Sequence, residues 1–438
     1  MATLTVIGCG YLGAVHAACM TRLGHDVVGI DVDAGKVALL SAGVTPFYEP
    51  GFEEVLQEAL GTGRLSFTSD MSAARGRSVH FVCVGTPQKR NEYAADMAYV
   101  NAAVDSLLPY LSPGDLVVGK STVPVGTAHR LAELVAATEP AAIVAWNPEF
   151  LREGFAVEDT LHPDRFVYGL PAGKDGEHAR ALLDEIYAKP LAEGVPLVVT
   201  DHATAELVKA AANSFLATKI SFINAMAEVC EASGADVAQL ADAIGHDARI
   251  GRRFLNAGLG FGGGCLPKDI RAFMARAGEL GADQALAFLR EIDSINMRRR
   301  VRMVDLAREV CGGSIAGRRI AVLGVAFKPN SDDIRDSPAL NVAAQMQLQG
   351  ASVVVTDPKA VENAQKKWPD LRYVDSAEDA AKDADLVLLL TEWEQYRALD
   401  PVALGKIVAE RRILDGRNAL DPATWRAAGW TYRALGRP

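Results

Sequence analysis

The sequence is short of sulfur, of cationic excess and of long apolar runs. Its six cysteines (Cys9, Cys19, Cys83, Cys230, Cys265, Cys311) are scattered through 438 residues with no CxxC pair and no neighbouring histidine. That excludes a disulfide-stapled scaffold and a cysteine zinc site, so no metal is expected. Apolar runs such as 384–390, broken by Asp385, stop far short of the roughly 20 residues a membrane span requires. The opening MATLTVIGCG places no basic residue ahead of its apolar stretch. It therefore does not read as an export signal, and a cytoplasmic protein with no membrane partner is expected. The 45 Lys and Arg against 55 Asp and Glu leave a net charge of −10. Broad attraction to nucleic acid or to an anionic membrane is thereby excluded, although local donors can still hold a small anion.

What remains is globular: 49% of residues are apolar and 23% charged. At roughly 150 residues per domain the length suggests about three domains. Short β-rich apolar runs at 3–7, 27–30, 79–84, 116–118 and 143–146 alternate with helical stretches at 11–23, 35–42, 97–108 and 127–137. Such alternation is the pattern of a parallel sheet covered on both faces. Further strands at 166–168 and 195–199 carry this domain to residue 200. Residues 201–312 then show little strand signal. Asp201 is placed to cap a helix that meets no Gly or Pro before residue 233, a length of ~45 Å at 1.5 Å per residue. A helix of that length suits pairing with a second copy of the chain, and a homodimer through it is expected. Alternation returns at 319–323, 352–355, 385–389 and 413–414, giving a second, smaller α/β domain over 313–438.

Several loops carry residues suited to chemistry. Gly8, Gly10 and Gly13 form a G-x-G-x-x-G that follows a predicted strand and opens a predicted helix. In that context the glycines permit a tight turn, close approach of a pyrophosphate and close strand–helix packing, with Tyr11 and Leu12 between them. Asp31, 18 residues beyond Gly13, closes the next strand, where a carboxylate can hold a ribose diol and repel the extra phosphate of NADP. NAD is the cofactor this favours; the competing reading is a structural glycine turn. Thr86 and Ser121 end two further strands and either face that cofactor or cap helices. Gly260 and Gly262 to Gly264 lead into Cys265, Leu266, Pro267, Lys268 and Asp269. Four glycines in five residues are costly unless the backbone needs unusual torsions or touches a ligand. Pro267 suits a helix's first turn, so Cys265 falls at a helix N-terminus beside Lys268, and both features favour the thiolate. Cys265 therefore reads as a nucleophile, unlike Cys19 and Cys83 in apolar runs. Lys209 and Asn213 share one helix face, which is a solvated rim or a cleft wall. Glu149, after the strand at 143–146, is an acid/base group or a capping carboxylate. The cluster Arg298, Arg299, Arg300 and Arg302 reads as a solvated helix face.

Taken in order, GCGYLG (8–13), STVPVGT (121–127), NPEFLREG (147–154), HPDR (162–165), the Lys209/Asn213 helix, RFLNAGLGFGGGCLPKD (253–269) and FKPNSDDIRDSP (327–338) resemble the UDP-glucose/GDP-mannose dehydrogenase family over essentially the whole chain. The resemblance implies an N-terminal Rossmann-like NAD domain, a central helical segment and a C-terminal Rossmann-like domain gripping uridine diphosphate. It implies oxidation of UDP-glucose to UDP-glucuronate with two NAD, through a thiohemiacetal and a thioester on Cys265. Alternatives are the same chemistry on GDP-mannose or a UDP-N-acetylhexosamine, a one-step β-hydroxyacid dehydrogenase, and a catalytically silent nucleotide-binding regulator. By the same resemblance Lys209 and Asp269 stabilise the developing alkoxide, with Asn213 assisting. Thr122 holds a water, and Glu149 is the base for thioester hydrolysis. Gly8 to Gly13, Asp31, Lys36, Thr86, Thr122, Glu153, Lys268 and Arg335 match cofactor contacts. Glu149, Phe150, Leu151, Arg152, Lys209, Asn213, Phe254, Leu255, Asn256, Ala257, Gly258, Gly262 and Lys328 match substrate contacts. One departure is local: Gly264 and Leu266 flank the cysteine where Ser and Phe are common.

Overall fold

The computed structural model describes residues 1–437. Eight strands form the first sheet: β1 (Thr3–Ile7), β2 (Asp26–Ile30), β3 (Leu65–Thr68), β4 (Val79–Val82), β5 (Leu116–Gly119), β6 (Ile143–Trp146), β7 (Phe166–Gly169) and β8 (Leu197–Thr200). Their order is β3-β2-β1-β4-β5-β6-β7-β8. The first six pair in parallel. The apolar runs of β1, β2, β4, β5 and β6 predict this, whereas β3, with the sequence LSFT and an exposed Ser66, is not among the expected strands. Alternate side chains enter opposite layers: Leu116 and Val118 join one buried cluster and Val117 the other, the period-2 consequence of a pleated strand covered on both faces. β7 departs from this pattern. It meets β6 antiparallel through the single pair Trp146–Gly169 and carries β8 parallel to itself. Periodicity alone does not reveal that reversal, because it reports burial and not direction.

The helix His202–Ser233 runs for 32 residues, as expected, and the Asp201 carboxylate accepts from Thr204 N at 2.9 Å to cap it. The chain divides into two compact units. Met1–Ala212 with Arg271–Gly281 make the first, and Asn213–Ile270 with the chain from Ala282 onward make the second. The helical segment 201–312 is thus shared out between the two units. Helix 288–310 shows why its arginines misread as solvated: Arg299 and Arg300 are buried. Arg299 Nη2 donates to Glu231 Oε1 at 3.1 Å, and Arg300 Nη1 to Asp336 Oδ1 at 3.0 Å. A basic run says nothing about carboxylates placed far away in sequence.

The second unit contains β9 (Arg319–Leu323), β10 (Ser352–Thr356), β11 (Arg372–Tyr373), β12 (Leu386–Leu389), β13 (Arg412–Asp415) and β14 (Thr431–Ala434), all parallel, in the order β11-β10-β9-β12-β13-β14. Relabelled from its own first strand, this is the 3-2-1-4-5-6 order of a doubly wound nucleotide-binding sheet, which β3 to β6 also follow. The likeness extends to the first turn. Gly8 (φ +88°) and Gly324 (φ +94°) both have left-handed backbone. Gly8 N donates to Ile30 O at 2.7 Å, and Gly324 N to Thr356 O at 2.8 Å. Among the described residues no helix is long and apolar enough to cross a membrane.

Candidate active site

In open α/β sheets ligands lie beyond the carboxyl ends of the strands, at the reversal of strand order. In the first unit that is the crevice between β1 and β4. A Cβ on Gly13 would lie within bonding range of Gly8 O and 2.9 Å from Gly8 C, so only glycine lets the helix Tyr11–Arg22 seat against the turn. A Cβ on Gly10 would meet nothing within 4 Å, and no side chain caps that helix. Its first N–H groups and the space before them suit a pyrophosphate. The residues present thus fit a dinucleotide. Asp31 is buried and ties the turn together: Oδ2 accepts from Cys9 N at 2.8 Å and Lys36 Nζ at 2.9 Å, and Oδ1 from Asp33 N at 3.0 Å. Lys36 is therefore a partner of Asp31 in this structure. Tyr11 donates through its hydroxyl to the buried carboxylate of Glu49, which also accepts from Gly154 N and Ala156 N, each at 2.6 Å. One carboxylate thereby joins the glycine turn to the loop after β6.

That loop carries the residues 149–154. Glu149 caps its own turn, with Oε1 accepting from Phe150 N at 2.7 Å and Leu151 N at 2.9 Å. Its Oε2 lies 3.3 Å from the Nζ of Lys120, a buried ammonium that also donates to Asn147 Oδ1 at 3.0 Å. Glu149 thus caps its own turn and pairs with Lys120 at a strand end. Thr86 and Ser121 cap no helix. Thr86 Oγ1 donates to Thr122 O at 2.7 Å and Ser121 Oγ to Val84 O at 2.6 Å, pinning together the loops after β4 and β5. The Phe150 ring lies under two cations, the Arg165 guanidinium at 3.9 Å and the Lys209 ammonium at 5.4 Å. Arg152 is held by Asp159 through Nε at 2.9 Å and Nη2 at 2.5 Å. Glu153 lies two residues after Leu151 on the same loop and is half-buried.

In the second unit the cysteine segment takes the form its glycines anticipate. Cys265 immediately precedes the helix Leu266–Glu279, its carbonyl accepts from Asp269 N at 2.9 Å, and Pro267 lies in the first turn. Cys265 is exposed, and the other five cysteines are buried. Burial pushes the Cys19 and Cys83 thiols up to about 12, which leaves them inert at neutral pH. Asp269 is buried. It accepts from Asn213 Nδ2 at 2.7 Å and from Lys268 Nζ at 2.5 Å, so the Asn213 amide and the Lys268 ammonium converge on one carboxylate a turn from the thiol. The Asn213 side of the long helix is therefore not a solvated rim.

The remaining expected substrate residues divide by side chain. Leu255 and Ala257 sit in the hydrophobic cluster with Ile223 and Val237, leaving only backbone for a ligand. Phe254 has a left-handed backbone, φ +66°. Asn256 Oδ1 accepts from Arg252 Nη1 at 2.8 Å. Gly258 N donates to Asn224 Oδ1 at 2.8 Å, and a Cβ there would lie 2.5 Å from Gly416 O. Gly262 packs on Asp336 and Pro338, and Lys328 lies 5.4 Å from the Phe327 ring. Arg335 is paired with Asp333 through Nε at 2.9 Å, and its guanidinium occupies the place a Gly264 side chain would need. Sequence reasoning missed Glu49, Lys120, Asn296 and Arg417. Arg417 donates to Leu390 O at 2.7 Å, Gly260 O at 3.0 Å and Phe327 O at 3.1 Å. Its only local signal is its place two residues after β13.

Residues 2–190, 203–298 and 321–422 match, respectively, the NAD binding, central and UDP binding domains of the UDP-glucose/GDP-mannose dehydrogenase family. The chain is 42% identical over 438 residues to UDP-glucose 6-dehydrogenase of Rhizobium meliloti (strain 1021), covering 99% of both chains. It is 39% identical to UDP-glucose 6-dehydrogenase TuaD of Bacillus subtilis (strain 168), covering 100% of this chain and 94% of that one. Among solved structures, a UDP-glucose dehydrogenase from Pyrobaculum islandicum superposes with a TM-score of 0.89 at 38% identity, over 100% of this chain and 98% of the other. A UDP-D-ManNAc dehydrogenase from Pyrococcus horikoshii gives 0.87 at 27% identity, over 99% of each. With all three domain models matched in order and such relatives aligned from end to end, the chain belongs to the UDP-glucose/GDP-mannose dehydrogenase family.

Proposed function

We propose that the protein oxidises UDP-glucose to UDP-glucuronate in two steps, with NAD as cofactor and Cys265 as the nucleophile between them. The observation that carries this reading is the exposed Cys265 thiol at a helix N-terminus, a turn from the Asn213–Asp269–Lys268 cluster. Bound NAD supplies a hydride acceptor for each oxidation. Lys209 and Asp269, aided by Asn213, stabilise the developing alkoxide, the ammonium by its charge and the carboxylate by holding the donors Asn213 and Lys268. Meanwhile the C6 hydroxyl proton passes to water and C6 gives up hydride. Cys265 Sγ then adds to the resulting aldehyde carbon, because an aldehyde is a poor hydride donor until a nucleophile adds. Loss of the second hydride leaves a thioester. Glu149 takes a proton from water held by Thr122; the water oxygen attacks, the C–S bond breaks, the Cys265 thiolate leaves, and the acid so formed gives its remaining proton to solvent as the carboxylate is released.

For binding, the reading assigns cofactor contacts to Gly8 through Gly13, Asp31, Lys36, Thr86, Thr122, Glu153, Lys268 and Arg335. It assigns substrate contacts to the segments 149–152 and 254–258, with Lys209, Asn213, Gly262 and Lys328. A cytoplasmic location, where thiols stay reduced, keeps Cys265 available. A homodimer through the long helix is supported by Phe215, Phe222 and Val229, which are 67%, 47% and 57% exposed and recur every seventh residue, the spacing of a helix–helix seam.

A panel of UDP-glucose, UDP-N-acetylhexosamines and GDP-mannose with NAD or NADP tests the assignment. The expected result is two NADH and one UDP-glucuronate per UDP-glucose, with acid formation lost in Cys265→Ala. One NADH per sugar at completion defeats the two-step reading. A clear preference for another sugar would move the substrate and leave the chemistry standing.

A further inference from the structure

The segment that delivers Cys265 has almost no side chains with which to hold itself. Gly262 packs on Pro338 Cδ, 2.8 Å from where its Cβ would stand, and Gly263 packs equally close on the Phe327 ring. Gly264 leaves its side-chain space to Arg335, and Gly260 leaves its own to Asn296 Oδ1. A glycine run of this kind gains shape only from what lies against it, because glycine restricts its own torsions least of all residues. Three anchors act on its backbone, the first being the bond from Arg417 Nη1 to Gly260 O at 3.0 Å. Gly263 N donates to Arg335 O at 2.8 Å. Asn296, on the helix Phe288–Val310, takes both polar groups of one residue: Phe261 N donates to Asn296 Oδ1 at 2.7 Å, and Asn296 Nδ2 donates to Phe261 O at 3.0 Å.

Asn296 is fully buried. A buried amide in the middle of a helix is a poor choice for stability alone, since an apolar residue would pack there without a polar group to satisfy. Its two-handed grip on Phe261 mimics a neighbouring strand and fixes that peptide plane in position and rotation. Phe261 is four residues from Cys265, and chain of that length reaches at most ~14 Å at 3.3–3.6 Å per residue. Only Gly262, Gly263 and Gly264 lie between them, so a shift or swing at Phe261 changes the path on which those glycines carry the thiol.

We propose that Asn296 is a positioning residue for Cys265, holding the glycine loop so that the thiol meets the aldehyde before the aldehyde can leave. The proposal rests on the reading of Cys265 as the nucleophile. Misplacement of a reacting atom by 1 Å can cost about 100-fold in rate. The loss should fall on capture of the aldehyde and the second oxidation, because the first oxidation does not use the sulfur.

The test uses full-length Asn296→Ala and Asn296→Asp proteins with UDP-glucose, NAD and semicarbazide as an aldehyde trap. In Asn296→Ala, UDP-glucuronate formation should fall about 100-fold, while NADH per sugar drops from two toward one and trapped aldehyde accumulates. Asn296→Asp keeps the acceptor for Phe261 N–H and should recover part of the acid formation; it carries the test should the alanine protein fail to fold. Amide exchange at Phe261 should quicken in Asn296→Ala, a readout independent of turnover. Wild-type acid formation in Asn296→Ala, or an equal loss of both oxidations with no trapped aldehyde, overturns the positioning role. Alkylating Cys265 in the wild-type protein separates the two ideas: acid formation that survives alkylation sinks the cysteine reading itself, whatever Asn296 does.

Discussion

Gly10 and Gly13 lie three residues apart in one turn, and the structure assigns them opposite sensitivities. A Cβ on Gly13 would overlap Gly8 O and stand 3.2 Å from Cys83 Cβ, and the first of these neighbours is backbone that cannot swing aside. Gly13→Ala must push the helix Tyr11–Arg22 off the sheet, an overpacking cost of about 1–3 kcal/mol. In a domain of this size each kcal/mol moves the melting temperature by roughly 2–4 °C. Gly10→Ala meets nothing within 4 Å, and its torsions, φ −69° and ψ −163°, are ordinary for any residue. Its methyl group stands instead in the space before the open helix N-terminus. A hydrogen bond to a charged group contributes roughly 1.5–3 kcal/mol, so losing one such phosphate contact should weaken NAD by roughly 10- to 100-fold at 1.4 kcal/mol per decade. Calorimetric titration with NAD and thermal unfolding of both variants check this. The expected result is a Gly10→Ala protein of wild-type stability that binds NAD poorly, and a Gly13→Ala protein that melts several degrees early. NAD binding unchanged in Gly10→Ala refutes the placement of the pyrophosphate, and an undisturbed Gly13→Ala melting temperature refutes the packing argument.

Other outcomes follow from buried charge, exposed surface and the glycine that departs from the common pattern. Glu231 would be raised by its burial, yet Arg302 and Arg299 hold it below the ordinary 4.5. Its stabilising contribution is therefore present above pH 4.5 and disappears as pH falls through the depressed value. Glu231→Gln should remove that acid-side slope in urea unfolding and cost about 3 kcal/mol, the low end for stranding a buried partner, because Glu228 still lies 3.7 Å from Arg299. If the proposed homodimer pairs through the long helix, replacing Phe215 and Phe222 together by Glu should lower the mass in sedimentation equilibrium to that of one chain; an unchanged mass refutes that pairing. Gly264→Ser meets only the far end of the Arg335 side chain, 2.5 Å from Nη2. It should change stability by no more than about 0.5 kcal/mol, as surface changes do. A larger loss of melting temperature would show that Arg335 has no room to yield.

Legibility in the sequence followed the range of the interaction. The turn at Gly8 to Gly13 and the Cys265 segment were readable because their constraints are local: tight torsions, a helix start and a proline in the first turn. The long helix was readable because nothing interrupts it. Asn296 grips Phe261 across 35 residues, Glu49 reaches Gly154 across 105, and Arg417 reaches Gly260 across 157. No spacing rule spans such separations, so a polar residue inside a helix or after a strand reads as solvated until the fold supplies its partner. Arg299 and Arg300 misread for that reason. The antiparallel turn at β7 stayed hidden because burial carries no direction. Leu255 and Ala257 were singled out through a resemblance that marks positions and does not distinguish backbone contact from side-chain contact.

The two sheets show how one turn can be kept for structure or left open for a ligand. In each, a left-handed glycine ends the first strand and an aspartate ends the second, and that aspartate accepts the N–H after the glycine: Cys9 N to Asp31 at 2.8 Å, Val325 N to Asp357 at 2.7 Å. Asp357 Oδ2 also accepts from Ala326 N at 2.9 Å and Trp393 Nε1 at 3.2 Å, while its Oδ1 takes Lys359 N at 3.0 Å and Ala360 N at 2.9 Å. Five donors exceed the roughly four lone-pair sites of a carboxylate, so Asp357 has no capacity left for a ribose. Asp31 takes three, one of them from the Lys36 ammonium, and keeps capacity for a further donor. The helices that follow differ in the same sense. Gly10 offers no side-chain cap, whereas the Ser337 hydroxyl accepts from Leu340 N and Pro338 occupies the first turn. These differences support the proposal that a dinucleotide pyrophosphate sits at the first turn, because the corresponding turn of the second sheet already commits its aspartate and its helix cap to its own backbone.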